Sequence, residues 1–207
     1  MFKWESLKTQ VPCTQCPLWS MGGGRWVKLG AFSCREQVMA DGIKELDKLS
    51  LRDFSQFYKD LVVGDTAVLQ GVYRGMYVGP GWLKTAGPRV ISLRGLSGWW
   101  GKLFQADGEA FNLVERDGRI EPIFPMRLES ITSKLDSAPA LALIYDAGNP
   151  FPWPNIVDEL RPLDETAVLG MTYFNVDAVP KIAFPFLIQK IEKDTESAEK
   201  AQRAERI

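Results

Sequence analysis

From Thr66 to Lys193 the chain is a succession of short runs rich in Val, Ile, Leu, Phe and Tyr, separated by glycine, proline and Asp-containing turns. Such runs read as strands at Thr66–Val78, Ala110–Arg116, Arg119–Ser130, Pro139–Asp146, Ile156–Leu163, Thr166–Phe174 and Ala183–Lys193. Gly71 and Gly75 interrupt the first and predict a bend or a close backbone approach there. Asp117-Gly118 is the clearest hairpin signal, because a tight primed turn needs residues that accept positive φ. Asp164-Glu165 predicts a second tight turn, and Gly79-Pro80-Gly81 with Gly87-Pro88 reads as a loop. Parallel strands need long crossovers, usually helical, and none reads between these runs. The pattern therefore predicts an antiparallel meander, closed into a barrel or folded as a sandwich.

Upstream the texture differs. Residues 1–34 mix Pro, Gly, Trp and Cys without periodicity and read as an irregular arm, with Phe2, Trp4, Trp19 and Trp26 expected to dock on the body. Residues 35–61 read as a helical segment. Val38, Met39, Ile43 and Leu46 recur at helical spacing, and Ser50 with Asp53 looks like a helix cap. Leu51, Phe54, Phe57, Tyr58 and Leu61 would form the buried face of the helix that follows. These helices are expected to cover one opening of the β domain at 62–193. Residues 194–207 form a charged tail.

Composition removes several functions. With 25 Lys+Arg against 26 Asp+Glu there is no basic surplus to meet phosphates, so no nucleic-acid partner is expected. The longest apolar runs, such as Ala138 to Tyr145, are strand-length and far short of the roughly 20 residues of a membrane-spanning helix. The opening Met1-Phe2-Lys3-Trp4-Glu5 lacks the apolar core of a secretory signal, and three cysteines make no disulfide framework, so a cytoplasmic address is expected. The chain has no histidine. That excludes Ser-His-Asp and Cys-His catalysis and His-ligated metals, leaving Asp, Glu, Lys, Tyr or Cys for any acid–base work.

Few motifs carry chemistry. Cys13-Thr14-Gln15-Cys16 has redox or metal spacing, but with only Cys34 besides and no histidine it reads as incidental thiols. Gly22-Gly23-Gly24 has neither the strand before it nor the Lys-Ser/Thr after it that a phosphate loop requires, and reads as a linker. No cofactor or metal is expected. Trp99-Trp100, set between Gly98 and Gly101 and followed by Lys102, is suited to line a cavity mouth, although adjacent strand residues face opposite sides and only one ring would enter it. Tyr145-Asp146 ends an apolar strand, with Asp158 and Arg161 on the next. Three apart on a strand, Asp158 and Arg161 face opposite sides, so Arg161 is expected to pair with Asp146 across the hairpin. That pair is either a structural tie or a polar anchor in an apolar pocket, where burial raises an Asp pKa.

Three stretches between Leu61 and Lys190 resemble the uncharacterised family named for its GXWXG motif, with its C-terminal companion block. Gly71-Val72-Tyr73-Arg74-Gly75 stands where that family has GXWXG, with Tyr73 in place of the tryptophan. Gly98-Trp99-Trp100-Gly101-Lys102-Leu103-Phe104 is similar to its G-W-[YW]-G-K-x-F block. Tyr145-Asp146, Asp158 and Arg161, then Leu169-Gly170-Met171 resemble its Y-D, D-x-x-R and L-G-x-M run. The resemblance implies a lipocalin-like barrel and no particular activity. The first functional expectation is binding of an apolar small molecule through Tyr73, Arg74, Trp99, Trp100, Lys102, Arg161 and Tyr173. The alternative is an isomerase or cyclase for a hydrophobic compound, with Asp146 or Asp158 as acid or base and Tyr73, Tyr145 or Tyr173 as donors. A partner-binding module, using the arm or the tail, is the third. Nothing in the sequence sets the oligomeric state.

Overall fold

The computed structural model describes residues 19–22, 25–28, 42–61, 69–177 and 181–191. The chain forms two units, Met1–Lys48 and Leu49–Ile207. In the first, strands β1 (Trp19–Gly22) and β2 (Arg25–Lys28) pair antiparallel from Gly22 opposite Arg25 to Trp19 opposite Lys28. This short ladder corrects the reading of an irregular arm over these residues, since Gly22 of the presumed linker ends β1. Residues 42–46 are helical. Cys13, Cys16, Cys34, Phe2, Trp4, residues 35–41 and the charged tail lie outside the described residues.

The second unit is mainly β. Eight strands close into an antiparallel barrel: β3 (Gly71–Tyr77), β4 (Trp99–Phe104), β5 (Glu109–Arg116), β6 (Arg119–Thr132), β7 (Pro139–Tyr145), β8 (Ile156–Pro162), β9 (Ala167–Phe174) and β10 (Phe184–Lys190). Each pairs with its successor except that β10 closes the ring on β3, from Phe186 opposite Tyr77 to Lys190 opposite Tyr73. Asp117 and Gly118 both have positive φ (50° and 73°) and join β5 to β6 with Arg116 opposite Arg119, as the sequence predicts. β4 is the one barrel strand that the run of apolar segments does not announce, because Gly101 and Lys102 dilute the pattern.

Two β-bulges set which side chains enter the barrel. In β4 the register with β5 slips between Trp99 and Gly101. In β6, Phe124 (φ 53°) is the extra residue between Ile123 and Pro125. A bulge bends its strand and reverses the alternation of faces beyond it. Tyr73, Phe104, Val114, Met126, Leu143, Leu160, Val168, Phe186 and Ile188 consequently form one continuous interior cluster. Each full burial of a Leu, Val or Ile there stabilises the fold by about 1.5–3 kcal/mol. Val72, Trp100, Leu103, Leu113 and Ile120 form a second cluster on the opposite face of the sheet.

Helix α1 (Leu51–Lys59) begins with the expected capping box, the Ser50 hydroxyl accepting from the Asp53 amide while the Asp53 carboxylate accepts from the Ser50 amide. It does not cover an opening. It lies on the outside of the barrel wall, with Tyr58 against Arg161 and Glu159. The helix at the mouth is α2 (Gly81–Ile91), after which the chain kinks through Ser92–Leu96, where Gly95 has φ 90°. The Gly- and Pro-rich sequence reads as a loop, and the helix replaces that reading. Pro88 sits inside it and donates no amide. Leu83, Ala86, Gly87, Val90 and Ile91 recur at helical spacing and turn toward the barrel interior.

Candidate functional site

Beneath α2 the barrel encloses a cavity of about 310 Å³, walled by Tyr77, Leu83, Ile91, Leu96, Trp99, Trp153 and Phe186, with Lys102, Asn112, Tyr145, Asp158 and Thr172 among its lining. Its walls are almost entirely apolar. Trp82, Val90 and Phe184 line it and are also exposed, at 56%, 59% and 38%, so the space reaches the surface between α2 and the start of β10.

Trp99 and Trp100 divide as adjacent strand residues must. The Trp99 ring lies against Gly75 of the neighbouring strand, where any Cβ would come within 2.6 Å of it, and packs edge-on to Tyr77 and Phe186. Trp100 belongs to the outer cluster, with the Arg74 guanidinium 4.8 Å from its ring. The bulge at Trp100 has a further consequence. Lys102, three residues beyond Trp99, would face outward on a regular strand; here both face inward.

Lys102 is 1% exposed and donates from Nζ to Asp158 Oδ2 and to Asn112 Oδ1, each at 2.9 Å. Asn112 Oδ1 also accepts from Trp99 Nε1 at 3.2 Å, and Asn112 Nδ2 donates to the Tyr145 hydroxyl at 3.0 Å. The Tyr145 hydroxyl donates to Asp158 Oδ2 at 3.3 Å, and Thr172 Oγ1 donates to Asp158 Oδ1 at 2.6 Å. The ammonium also stands 5.4 Å from the Phe186 ring centroid and 5.8 Å from that of Tyr145. Burial, reinforced by the Asp158 charge, pushes the Tyr145 phenol well above its ordinary value, so it stays a neutral donor. The cluster thus offers one cation, one anion, a phenol, an amide and a hydroxyl at the inner end of an apolar space.

Of the residues singled out in the sequence, Trp99, Lys102, Tyr145 and Asp158 meet at this cavity. The others do not. Tyr73 faces inward but packs on Phe104 within the core, 5.2 Å between centroids, where burial pushes its phenol up to about 12. Arg74 and Trp100 are on the outer face. Tyr173 and Arg161 face outward as well, Tyr173 donating to Glu159 at 2.8 Å. Arg161 pairs with Asp136 at 2.7 Å, not with Asp146, which is exposed in the turn after β7. The expected Asp146–Arg161 polar end is corrected accordingly: Lys102 and Asp158 occupy the polar end of the cavity.

Sequence reasoning missed Asn112, Thr172, Trp153 and α2. Asn112 is a polar residue in the apolar stretch Ala110–Val114, at an inward position, and that was a usable signal. Thr172 carried none. Trp153 donates from Nε1 to the Arg94 carbonyl at 2.8 Å and packs on Tyr145 and Phe124, tying the end of the α2 segment to the barrel. The period of Leu83, Ala86, Gly87, Val90 and Ile91 was the signal for the helix.

No family model matches the chain, and no curated protein matches it. Among solved structures, a crystal structure of a protein from Thermomonospora curvata is similar at a TM-score of 0.57 and 19% identity, over 75% of this chain and 97% of that one. At that identity the likeness establishes the barrel fold alone. No helix among the described residues is long and apolar enough to cross a membrane.

Proposed function

We propose that the barrel binds a small apolar molecule carrying one uncharged polar group. Its carbon skeleton would lie among Trp99, Phe186 and the inner face of α2, and its polar group against Lys102, Asn112 and Tyr145. One observation carries this reading: an apolar cavity, open beside α2, ends in a single buried hydrogen-bonded cluster. The volume is at the lower edge of the roughly 300–1,000 Å³ common for small-molecule sites. The ammonium is already neutralised by Asp158 at 2.9 Å, so a ligand carboxylate or amine would add an uncompensated charge to an apolar space. An alcohol, ketone or aldehyde adds none. The resemblance to the GXWXG-motif family supports placing the site here, because Lys102 comes from one stretch of that resemblance, Tyr145 and Asp158 come from another, and Lys102 and Tyr145 both donate to Asp158.

The test is fluorescence titration with an environment-sensitive apolar dye, then displacement by ligands of one carbon skeleton bearing different head groups. Alcohol and ketone should displace it at lower concentration than the acid or amine. Failure to bind the dye, or displacement indifferent to the head group, would sink the proposal.

A second reading, proton transfer within the bound molecule, is favoured by one observation: a carboxylate and a phenol 3.3 Å apart border the cavity together. Asp158 would take the proton and Tyr145 or Lys102 would donate to the developing oxyanion. Deuterium uptake next to the carbonyl of a bound ketone in heavy water separates this from binding alone.

A further inference from the structure

Lys102 is a primary amine whose side chain is 2% exposed and which borders an apolar cavity. Its ion pair with Asp158 lies in the wall of that cavity. The amine thus has a proton acceptor, Asp158 Oδ2, at 2.9 Å, and a neutral hydroxyl donor, Tyr145, on the same carboxylate oxygen at 3.3 Å. We propose that Lys102 condenses with a carbonyl ligand, an apolar aldehyde or unhindered ketone, and holds it as a protonated imine with Asp158 as counter-ion. The inference rests on the ligand-binding reading above and names the ligand class.

The steps balance within the site. The Lys102 ammonium passes a proton to Asp158, and the free amine adds to the carbonyl carbon. The N–C bond forms as the C–O π pair moves to oxygen, which Tyr145 stabilises by hydrogen bonding until the proton left on nitrogen moves to it. Asp158 then returns its proton to the carbinolamine hydroxyl, the C–O bond breaks with loss of water, and the nitrogen lone pair closes the C=N bond. Aldehyde and ammonium become iminium and water, with no oxidant or reductant. Charge is the argument for this chemistry here. The buried site holds one cation beside one anion before and after the reaction, so the hydrogen bonds that neutralise Lys102 also neutralise the iminium, and no new charge is desolvated. Asn112 and the faces of Phe186 and Tyr145 surround the same nitrogen position.

The test uses the full chain with cinnamaldehyde, whose protonated imine absorbs at longer wavelength than the free aldehyde, and borohydride, which fixes an imine as a secondary amine. At aldehyde below one equivalent, peptide mass mapping should place the reduced adduct on Lys102 ahead of all surface lysines. Lys102→Arg keeps a cation beside Asp158 and should keep the fold, checked by circular dichroism, while losing the adduct and the red-shifted band. Asp158→Asn should slow adduct formation by about 100-fold, the loss typical of a missing acid–base group. Adducts spread over surface lysines, or retained in Lys102→Arg, overturn the proposal. Cinnamaldehyde that displaces the apolar dye without a trapped adduct overturns the imine and leaves the binding reading standing. Absence of dye binding removes both.

Discussion

Asp158 and Glu159 are successive residues of β8, both are almost fully buried, and each organises a charged cluster on its own side of the barrel wall. The inner cluster borders the cavity. None of the outer cluster's residues lines that cavity. Glu159 accepts from Ser133 Oγ at 2.6 Å, Tyr173 at 2.8 Å, the Lys134 amide at 3.0 Å and Tyr58 at 3.4 Å. Two residues on, Arg161 donates to Asp136 and to the Tyr58 carbonyl, both at 2.7 Å, and lies over the Tyr58 ring; its Nε alone has no partner among the described residues. Those bonds tie α1 and the turn after β6 to the wall. Buried charge is thus poor evidence for function by itself. What distinguishes the two sides of one strand is that the cavity beneath α2 adjoins the inner charges.

The comparison breaks most sharply at Glu159. Glu159→Gln puts an amide donor where four donors converge and should lower stability by about 3–5 kcal/mol. For a chain of this size that is a fall in Tm of roughly 10 °C or more. Dye binding measured well below Tm should persist. Loss of binding in a folded variant would place the outer cluster in the functional site.

The inner pair should behave in the opposite way. Replacing both partners, Lys102→Met with Asp158→Leu, should leave stability unchanged or raise it by as much as about 4 kcal/mol, because two desolvated charges go at once. Preference for a neutral polar head group should vanish. Thermal melts and head-group displacement read the two effects separately, and a large loss of stability would make the inner pair structural like the outer one.

Alkali tests both sides together. All five tyrosines, Tyr58, Tyr73, Tyr77, Tyr145 and Tyr173, have phenol pKa values raised by burial above the ordinary 10.0, Tyr73 and Tyr77 to about 12. A group whose pKa is higher folded than unfolded favours the fold fully below the unfolded value, and that contribution declines as pH rises past it. Stability should hold up to about pH 10 and then drop. Phenolate absorbance should appear in one step with the loss of circular dichroism. Early, stepwise ionisation would show that some of these phenols are open to solvent.

The smallest effect belongs to Asp146, the residue that sequence reasoning paired with Arg161. It is exposed, so Asp146→Asn should change stability by less than about 0.5 kcal/mol and leave dye displacement unchanged. A weakened displacement would return Asp146 to the site.

Much of the fold was legible. Asp117-Gly118, the alternating runs and the Ser50–Asp53 cap predict elements that are present, because each depends on residues within a turn or two of one another. The site was legible in part. Trp99, Lys102, Tyr145 and Asp158 stand out as residue types, but their grouping does not. Glu159, which anchors the outer cluster, escaped notice because a charged residue in a strand ordinarily faces water.

By itself the sequence determined an antiparallel β body with short links, the absence of imidazole chemistry, and the opposite orientation of adjacent residues such as Trp99 and Trp100. Only the tertiary structure decided which charges meet. Lys102 and Asp158 are 56 residues apart and Arg161 and Asp136 are 25 apart, distances over which local spacing carries no information about pairing. The bulges at Trp100 and Phe124 each shift the alternation by one residue, and one residue exchanges the inside of a barrel for its outside. The same holds for α2, whose glycines and prolines favour a loop locally. Its helical form is settled by placing Leu83, Val90 and Ile91 over an apolar mouth that exists only once the barrel has closed.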